Sequence, residues 1–262
     1  MLKKAIEASI AAGKAILGIY DKPDLGIEVK NDDSPLTLAD IASNDVISKY
    51  LKETAIPIIS EENKQVDFSI RQQWNRCWIV DPLDGTKEFI KRNGEFTVNI
   101  ALVSKGIPTI GVIYVPVSRE LYFTSSEGNK AYKASLKDDH SYEEDFFSDA
   151  NEISPSPNAD KKIKVVGSRS HMNEETVNFV EGLKNNFNEV EIVSKGSSLK
   201  FCLVAEGKAD IYPRFAPTME WDTAAGHAIC RAVGLKVISK ETNEELKYNK
   251  KNLLNSYFVV KQ

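Results

Sequence analysis

The chain has 262 residues, of which 42% are hydrophobic and 27% are charged, and its formal net charge at pH 7 is −4. This length can bury a core large enough for one big domain or two closely joined ones. The slightly acidic balance argues against a protein that binds nucleic acid through bulk charge, although it leaves room for a local basic pocket that holds a small anionic substrate.

The cysteines and the N-terminus indicate a cytoplasmic protein. Cys77, Cys202 and Cys230 are odd in number and far apart, which argues against a disulfide framework or a thiolate metal site. Charged residues interrupt the first apolar stretch, and no run approaches the length that crosses a bilayer. We therefore expect a reducing cytoplasm and no integral membrane segment. Peripheral association with the inner membrane and the oligomeric state stay open.

Two helices are predicted near the N-terminus. Apolar residues recur three and four positions apart from Leu2 to Tyr20, and helical spacing returns between Thr37 and Leu51. Thr37 and Asp40 have the spacing of a capping box at the start of the second helix. An alternative role for Asp40 is a hydrogen bond with the Thr86 hydroxyl that helps to activate a water. Both roles coexist only if the cap leaves one carboxylate oxygen free.

Two buried strands are predicted to end at acidic residues. The apolar residues at 56–59 form the first strand, which stops at Ser60-Glu61-Glu62, and Trp78 to Val80 belong to the second, which stops at Asp81. Catalytic carboxylates often sit at such strand ends, where they can project into a cleft. We therefore expect Glu61 to approach the residues that follow Val80.

The motif Asp81-Pro82-Leu83-Asp84-Gly85-Thr86 is the most informative segment. Pro82 fixes φ and Gly85 allows an unusual backbone angle, so Asp81, Asp84 and the Leu83 carbonyl can face one side of a turn. These hard oxygen ligands suit Mg²⁺ or Ca²⁺. The N–H groups after Gly85 suit a phosphate oxygen. The alternative is an ordinary Asp-Gly surface turn.

Strands and then alternating elements are predicted beyond this motif. Strands are expected at 96–103, 110–117, 121–123 and around Tyr132, and the polar, acidic residues 137–160 predict a linker or surface excursion. After it, strands at 164–166, 190–193, 210–212 and 235–238 alternate with helices at 174–187, 199–205 and 223–233. Such alternation predicts helices layered on a sheet.

A fourth carboxylate extends the candidate metal site. Asp222 stands at the start of a predicted helix, where capping of free N–H groups is its ordinary explanation. Together with Glu61, Asp81 and Asp84 it would form a cluster of like charges that needs bound cations, and two Mg²⁺ ions would neutralise it.

A second anion pocket is predicted where small residues meet basic ones. Gly196 to Lys200 begin a helix, and Arg214 follows a strand. The loop from Gly167 to His171 is a comparable candidate for substrate contact. A capped helix with solvated charges is the structural alternative for these segments.

Three segments together resemble the inositol monophosphatase superfamily of Mg²⁺-dependent, Li⁺-sensitive phosphatases: Ser60-Glu61-Glu62, Asp81 to Thr86, and Trp221 to Gly226. The run from Asp81 to Leu102, with GSRSH at 167, GSSLKFCLVAEG at 196 and YPRF at 212, looks like its bacterial 3'(2'),5'-bisphosphate nucleotidase branch. The resemblance spans nearly the whole chain and is weakest at 137–160.

The resemblance implies a fold and a division of the chain. The fold is the inositol monophosphatase or sugar phosphatase-like fold, an α/β (α+β) layered sandwich. An N-terminal α+β half, residues 1–155, would carry most metal ligands. A C-terminal α/β half, residues 156–262, would complete the metal site and bind the nucleotide.

The resemblance also implies roles for individual residues. Two or three Mg²⁺ ions would be held by Glu61, Asp81, the Leu83 carbonyl, Asp84 and Asp222. The catalytic residues would be Asp40, Thr86 and Glu61, with Asp40 and Thr86 activating the attacking water. The substrate contacts would be Gly85, Thr86, His171, Ser197, Lys200 and Arg214, and Lys30 would lie in a loop that closes over the site.

The implied activity is removal of the 3'-phosphate of adenosine 3',5'-bisphosphate in sulfur assimilation, which yields AMP and phosphate. Action on 3'-phosphoadenylyl sulfate is a further expectation. The partner would be a small phosphorylated nucleotide and not a nucleic acid. One alternative is an inositol monophosphate or sugar bisphosphate phosphatase that uses the same metals, and another is a non-catalytic nucleotide sensor.

Overall fold

The structure is a computed structural model and describes residues 1–29, 35–143, 146–157, 161–167 and 173–262. It begins with helix α1 (Leu2–Tyr20), against which helix α2 (Leu38–Lys52) packs. Both predicted helices are confirmed. Between them lie two short paired strands, β1 (Glu28–Val29) and β2 (Pro35–Leu36), in a segment for which the sequence predicts only a polar loop.

A seven-stranded sheet follows in which neighbours in space are also neighbours in sequence. Its first two strands are parallel and the others are antiparallel. The strands are β3 (Ile58–Ser60), β4 (Arg76–Asp84), β5 (Thr97–Ser104), β6 (Ile107–Val115), β7 (Glu120–Thr124), β8 (Ala131–Ser135) and β9 (Asn151–Ile153). Short helices α3 (Phe68–Arg71), α4 (Thr86–Ile90) and α5 (Phe146–Asp149) lie in the connections.

The expectation of a linker or surface excursion at 137–160 is partly wrong. Residues 151–153 form β9, which pairs with β8 and closes that edge of the sheet. Phe146 in α5 stacks on Phe123, with ring centroids 6.0 Å apart. Phe146 is therefore buried within a segment whose other described residues are exposed or half-buried, so aromatic packing holds this polar segment against the sheet.

Both faces of the seven-stranded sheet are buried, which explains why β4 is apolar without alternation. Trp78 and Val80 point to the side covered by α1 and α2. Cys77 and Ile79 point to the opposite side. On that side lies helix α8 (Glu220–Ala232), which packs against β4, β5 and β6.

The remaining strands of the C-terminal part form two smaller sheets, and two further helices lie between these strands in the chain. In chain order these elements are β10 (Lys162–Gly167), α6 (Glu174–Leu183), β11 (Glu189–Ser194), α7 (Leu199–Ala205), β12 (Tyr212–Arg214), β13 (Lys236–Ser239) and β14 (Phe258–Lys261). Strands β10 and β11 are parallel, whereas β14 lies between β12 and β13 and is antiparallel to both. The predicted alternation is thus present.

Several predicted limits are wrong by a few residues. Helix α6 ends at Leu183 instead of 187, β12 begins at Tyr212 instead of 210, and α8 begins at Glu220 instead of 223. Strand β14 is not predicted at all. The division of the chain at residues 155 and 156 stays a prediction. Within the described residues, no helix is both long and apolar enough to cross a membrane.

A glycine sets the distance between α8 and the sheet. A Cβ atom at Gly111 in β6 would lie 2.4 Å from the carbonyl oxygen of Ala225 and 2.8 Å from Cβ of Ala228. Only a residue without a side chain therefore lets α8 approach this closely. The close approach brings the first turn of α8 to the end of β4, where the acidic motif begins.

Candidate active site

A β-bulge places Asp81 and Asp84 on one face of β4. In a regular strand, residues three positions apart point to opposite faces. Here Asp81 pairs with Asn99 and Asp84 pairs with Thr97, so β4 contains one extra residue between the two carboxylates. The bulge brings Asp84 back to the face of Asp81. The sequence predicts a turn for this purpose, and the structure uses an irregularity within the strand instead.

The bulged face of β4 is the one that α8 covers, since Asp81 continues the row of Cys77 and Ile79. Glu61 follows β3, and its N–H donates to the Val80 carbonyl at 3.2 Å. Asp222 lies in the first turn of α8, where its Oδ2 accepts the N–H of Met219 at 2.8 Å. Asp222 is therefore part of the helix cap, as expected, and also faces the strand ends.

Glu61, Asp81 and Asp222 converge. Each offers one carboxylate oxygen, and these oxygens all lie within 4.8 Å of one another. Burial, followed by the charge of Glu61, raises the pKa of Asp81 well above its usual range. Burial, followed by the charge of Asp84, raises the pKa of Asp222 to about 8. Desolvated like charges oppose ionisation unless a cation is present, and such oxygen donors fit Mg²⁺.

Asp84 stands beside this triplet but outside it. Its Oδ2 accepts the N–H of Ser198 at 2.5 Å and a hydrogen bond from Asn99 Nδ2 at 3.4 Å. Burial raises the pKa of Asp84, while the charge of Lys200 lowers it. The structure thus brings Asp84 close enough to interact with the other carboxylates and at the same time joins it to the start of α7.

The two oxygens of Asp40 serve different partners, as the sequence requires for both of its roles. Oδ2 accepts the N–H of Thr37 at 2.7 Å, which closes the predicted capping box. Oδ1 accepts a hydrogen bond from Thr86 Oγ1 at 3.3 Å. Thr86 follows Gly85, whose φ of +92° is the left-handed conformation that glycine favours. Thr86 Oγ1 also lies 3.3 Å from the Leu83 carbonyl oxygen.

A polar cleft that contains two basic residues, Lys200 and Arg214, adjoins the acidic triplet. Its charged lining also includes Asp84, Glu88 and Asp222, and Gly85 and Ser197 lie on its wall. Lys200 is buried, and desolvation lowers its pKa to about 8; its Nζ donates to the Ser197 carbonyl at 2.7 Å. Arg214 Nη2 donates to the Pro217 carbonyl at 3.2 Å, whereas Arg214 Nε is buried without a partner among the described residues. A buried donor of this kind fits an anionic ligand.

His171, which is predicted to contact substrate, and Lys30, which is predicted to lie in a loop that closes over the site, are outside the described residues. Conversely, the sequence analysis missed Asn99, Ser198 and Glu220. Asn99 and Thr97 interrupt the otherwise apolar pattern of β5 on one face, which is the signal that could have identified them. Glu220 is fully buried and accepts hydrogen bonds from the N–H groups of Asn249 and Lys250.

The three cysteines are free and buried. Burial raises the pKa of the Cys77 thiol to about 12, so little thiolate exists at neutral pH. Cys77, Cys202 and Cys230 belong to the hydrophobic core.

Comparison with known proteins gives consistent results. The model of the inositol monophosphatase family matches residues 1–259. The 3'(2'),5'-bisphosphate nucleotidase CysQ of Salmonella typhimurium is 46% identical over 241 residues, which cover 90% of this chain and 89% of that protein.

Solved structures agree with the sequence comparison. The crystal structure of CysQ from Bacteroides thetaiotaomicron, described as a bacterial member of the inositol monophosphatase family, superposes with a TM-score of 0.87 at 50% identity and covers 99% of this chain and 96% of that one. The extragenic suppressor protein suhB from Bartonella henselae superposes with a TM-score of 0.74 at 22% identity, covering 99% and 92%, and shows the shared fold alone. The predicted layered α/β fold class is confirmed.

Proposed function

Because the chain belongs to the inositol monophosphatase family, we propose that it is a Mg²⁺-dependent phosphatase that removes the 3'-phosphate of adenosine 3',5'-bisphosphate and releases AMP. The relatives named bisphosphate nucleotidase, at up to 46% identity, support this substrate class. We extend the proposal to 3'-phosphoadenylyl sulfate, which carries the same 3'-phosphate. This activity would serve sulfur assimilation.

The observation that carries the substrate assignment is the presence of Lys200 and Arg214 in the cleft beside the acidic triplet. A substrate with a single phosphate needs one anion site, whereas a nucleoside bisphosphate needs two. Lys200 and the unpartnered Arg214 Nε supply a second site next to Asp84 and Asp222. Ser197 lies at the same wall and would complete the contacts to the phosphate that is not cleaved. An inositol monophosphate would leave the buried Arg214 Nε unpaired, at a cost of roughly 1–3 kcal/mol.

Metal binding follows from the donor set. Glu61, Asp81, the Leu83 carbonyl, Asp84 and Asp222 would hold two or three Mg²⁺ ions. When bound, Mg²⁺ lowers the pKa of a water and offsets the negative charge of the phosphoryl group. Gly85 and Thr86 would bind the scissile phosphate. The chain then needs no covalent nucleophile, since its carboxylates are occupied as ligands.

Asp40 and Thr86 would handle the proton of the attacking water. The capping box holds Asp40 Oδ2 in place, which directs Oδ1 to the Thr86 hydroxyl. A hydroxyl held between a carboxylate and the Leu83 carbonyl can accept a hydrogen bond from water and pass its proton to Asp40. Glu61 would help to orient that water.

The test is a phosphate-release panel with the purified full-length protein. Adenosine 3',5'-bisphosphate, inositol 1-phosphate and fructose 1,6-bisphosphate are compared with and without Mg²⁺ and with added Li⁺. We expect Mg²⁺-dependent, Li⁺-sensitive release that is fastest from the nucleotide. Faster release from either sugar phosphate would favour the alternative phosphatase, and nucleotide binding without any release would favour the sensor.

We also propose that the protein acts in the reducing cytoplasm, which the free, buried cysteines support. Peripheral association with the inner membrane has no support among the described residues. A small phosphorylated nucleotide is the proposed partner, and the formal charge of −4 gives no reason to add nucleic acid.

A further inference from the structure

Asp84 is held by two groups that have no part in the proposed chemistry. The N–H of Ser198 and the amide Nδ2 of Asn99 both donate to its Oδ2, at 2.5 Å and 3.4 Å. Asn99 is 1% exposed and Ser198 is 2% exposed, so water does not compete for these contacts. A carboxylate with both donors on one oxygen keeps a fixed orientation and presents its other oxygen in one direction.

The neighbouring hydroxyls fix the orientation of the Asn99 amide. Asn99 Oδ1 accepts hydrogen bonds from Ser198 Oγ at 2.8 Å and from Thr97 Oγ1 at 3.1 Å. An ionised carboxylate can only accept, so the NH₂ group must face Asp84 and the carbonyl oxygen must face the hydroxyls. The hydroxyls therefore orient the amide, and the amide orients the carboxylate.

This network joins two distant parts of the chain. Asp84 and Asn99 lie on adjacent strands, β4 and β5, whereas Ser198 is 114 positions away from Asp84 and precedes α7, the helix that carries Lys200. Ser197 has a φ of +44°, a conformation that a residue with a side chain adopts only when its surroundings enforce it. The backbone at the start of α7 is thus held in the one arrangement that delivers the Ser198 N–H to Asp84.

We propose that Asn99, oriented by Ser198, is a positioning residue that holds Asp84 ready for metal and thereby sets the affinity for Mg²⁺. The inference rests on the proposed function only through the assignment of Asp84 as a metal ligand. Loss of a partner that orients a metal ligand typically weakens metal binding by about 10- to 100-fold. Replacement of Asn99 by an apolar side chain of similar size would remove this partner without opening a cavity.

The experiment is a calorimetric titration of the metal-free, full-length protein with Mg²⁺. We expect Asn99→Leu to raise the Kd for Mg²⁺ by about tenfold. The matched control is Thr97→Val, which removes a hydroxyl from the same face of β5 but leaves Ser198 to orient the amide, and we expect its Kd to stay within about twofold of the wild type. The kcat of Asn99→Leu should recover most of its wild-type value at saturating Mg²⁺, because Asn99 does not line the cleft proposed to hold the substrate.

Ser198→Ala gives a second route to the same conclusion if Asn99→Leu fails to fold. This variant keeps the backbone N–H on Asp84 and removes the closer of the two hydroxyls that donate to Asn99 Oδ1, so we expect a Kd raised by about threefold to tenfold. Mg²⁺ affinities of Asn99→Leu and Ser198→Ala that both stay within about twofold of the wild type would overturn the proposal. A wild type that binds Mg²⁺ but releases no phosphate would instead contradict the proposed function and leave the role of Asn99 intact.

Discussion

Three carboxylates of the site each use one oxygen for a hydrogen bond within the fold. Asp40 uses Oδ2 for the cap of α2, Asp84 uses Oδ2 for Ser198, and Asp222 uses Oδ2 for the N–H of Met219. The second oxygen of each is then oriented by the first. Replacing such an aspartate by asparagine should therefore remove the catalytic function and keep the fold, because the amide keeps one acceptor oxygen for the hydrogen bond.

We predict that Asp84→Asn abolishes phosphate release and leaves the fold intact. Asparagine retains one oxygen for the Ser198 N–H but lacks the negative charge that a metal ligand needs. Turnover and the circular dichroism spectrum are the two measurements. Near-normal kcat in this variant would contradict the assignment of Asp84 as a ligand.

We expect Lys200→Met to change the substrate preference and to leave the fold intact. Methionine keeps an apolar stem of similar length and removes the ammonium, which lies over the Tyr212 ring in the wall of the cleft. We expect KM for adenosine 3',5'-bisphosphate to rise by about 10- to 100-fold, because a charged hydrogen bond contributes roughly 1.5–3 kcal/mol. Release from a substrate with a single phosphate serves as the internal control and should change little.

At the scale of elements, the approach of α8 to the sheet decides whether Asp222 reaches the strand ends. Gly111→Ala would place a Cβ atom 2.4 Å from a backbone oxygen of α8, so the helix must move. We expect a loss of about 1–3 kcal/mol in the free energy of unfolding, with weaker Mg²⁺ binding. Urea unfolding and calorimetry measure the two effects.

Gly18→Ala in α1 is the matched control, because a Cβ atom there meets no atom within 4 Å. It should stabilise the protein by about 0.5–1 kcal/mol through helix propensity. Equal stability of the Gly111 and Gly18 variants would show that the α8 contact is not tight.

The elements that the sequence predicts well are those whose signals are local. Helix α1 has a regular apolar stripe, and β4 is a continuous apolar run that ends at a conspicuous motif. Strand β14 was missed because it gains its identity from pairing between β12 and β13. Asn99 was missed for a related reason. Its partners, Asp84 and Ser198, come close to it only through the bulge in β4 and the position of α7, which the sequence does not reveal.

At the scale of the whole molecule, the buried carboxylates make the stability of the fold depend on pH and on bound metal. The folded-state pKa of Asp222 is about 8, far above the ordinary value for a carboxyl group, so the folded protein binds a proton that the unfolded chain has released. The stabilising effect of that proton is full at pH values below the unfolded pKa and is lost as pH rises to about 8. Ionised Asp222 is tolerated beyond this point only if a cation offsets its charge.

We therefore predict that the metal-free protein loses stability as the pH rises toward 8 and that Mg²⁺ restores it. The slope approaches about 1.4 kcal/mol per pH unit for one such group. Thermal melts in EDTA and in Mg²⁺ at several pH values test this. The difference between wild type and Asp222→Asn isolates the contribution of Asp222 from that of buried His227, whose lowered pKa acts in the opposite direction.

The hydrogen bonds that buried Glu220 accepts have a consequence for the order in which the site forms during synthesis. The N–H groups of residues 249 and 250 donate to Glu220, which lies two positions before Asp222. A nascent polypeptide on the ribosome would therefore carry the strand that bears Asp81 long before it carries these partners of Glu220. We expect fragments that end before residue 249 to bind Mg²⁺ more weakly than the whole chain, because buried Glu220 loses these hydrogen bonds.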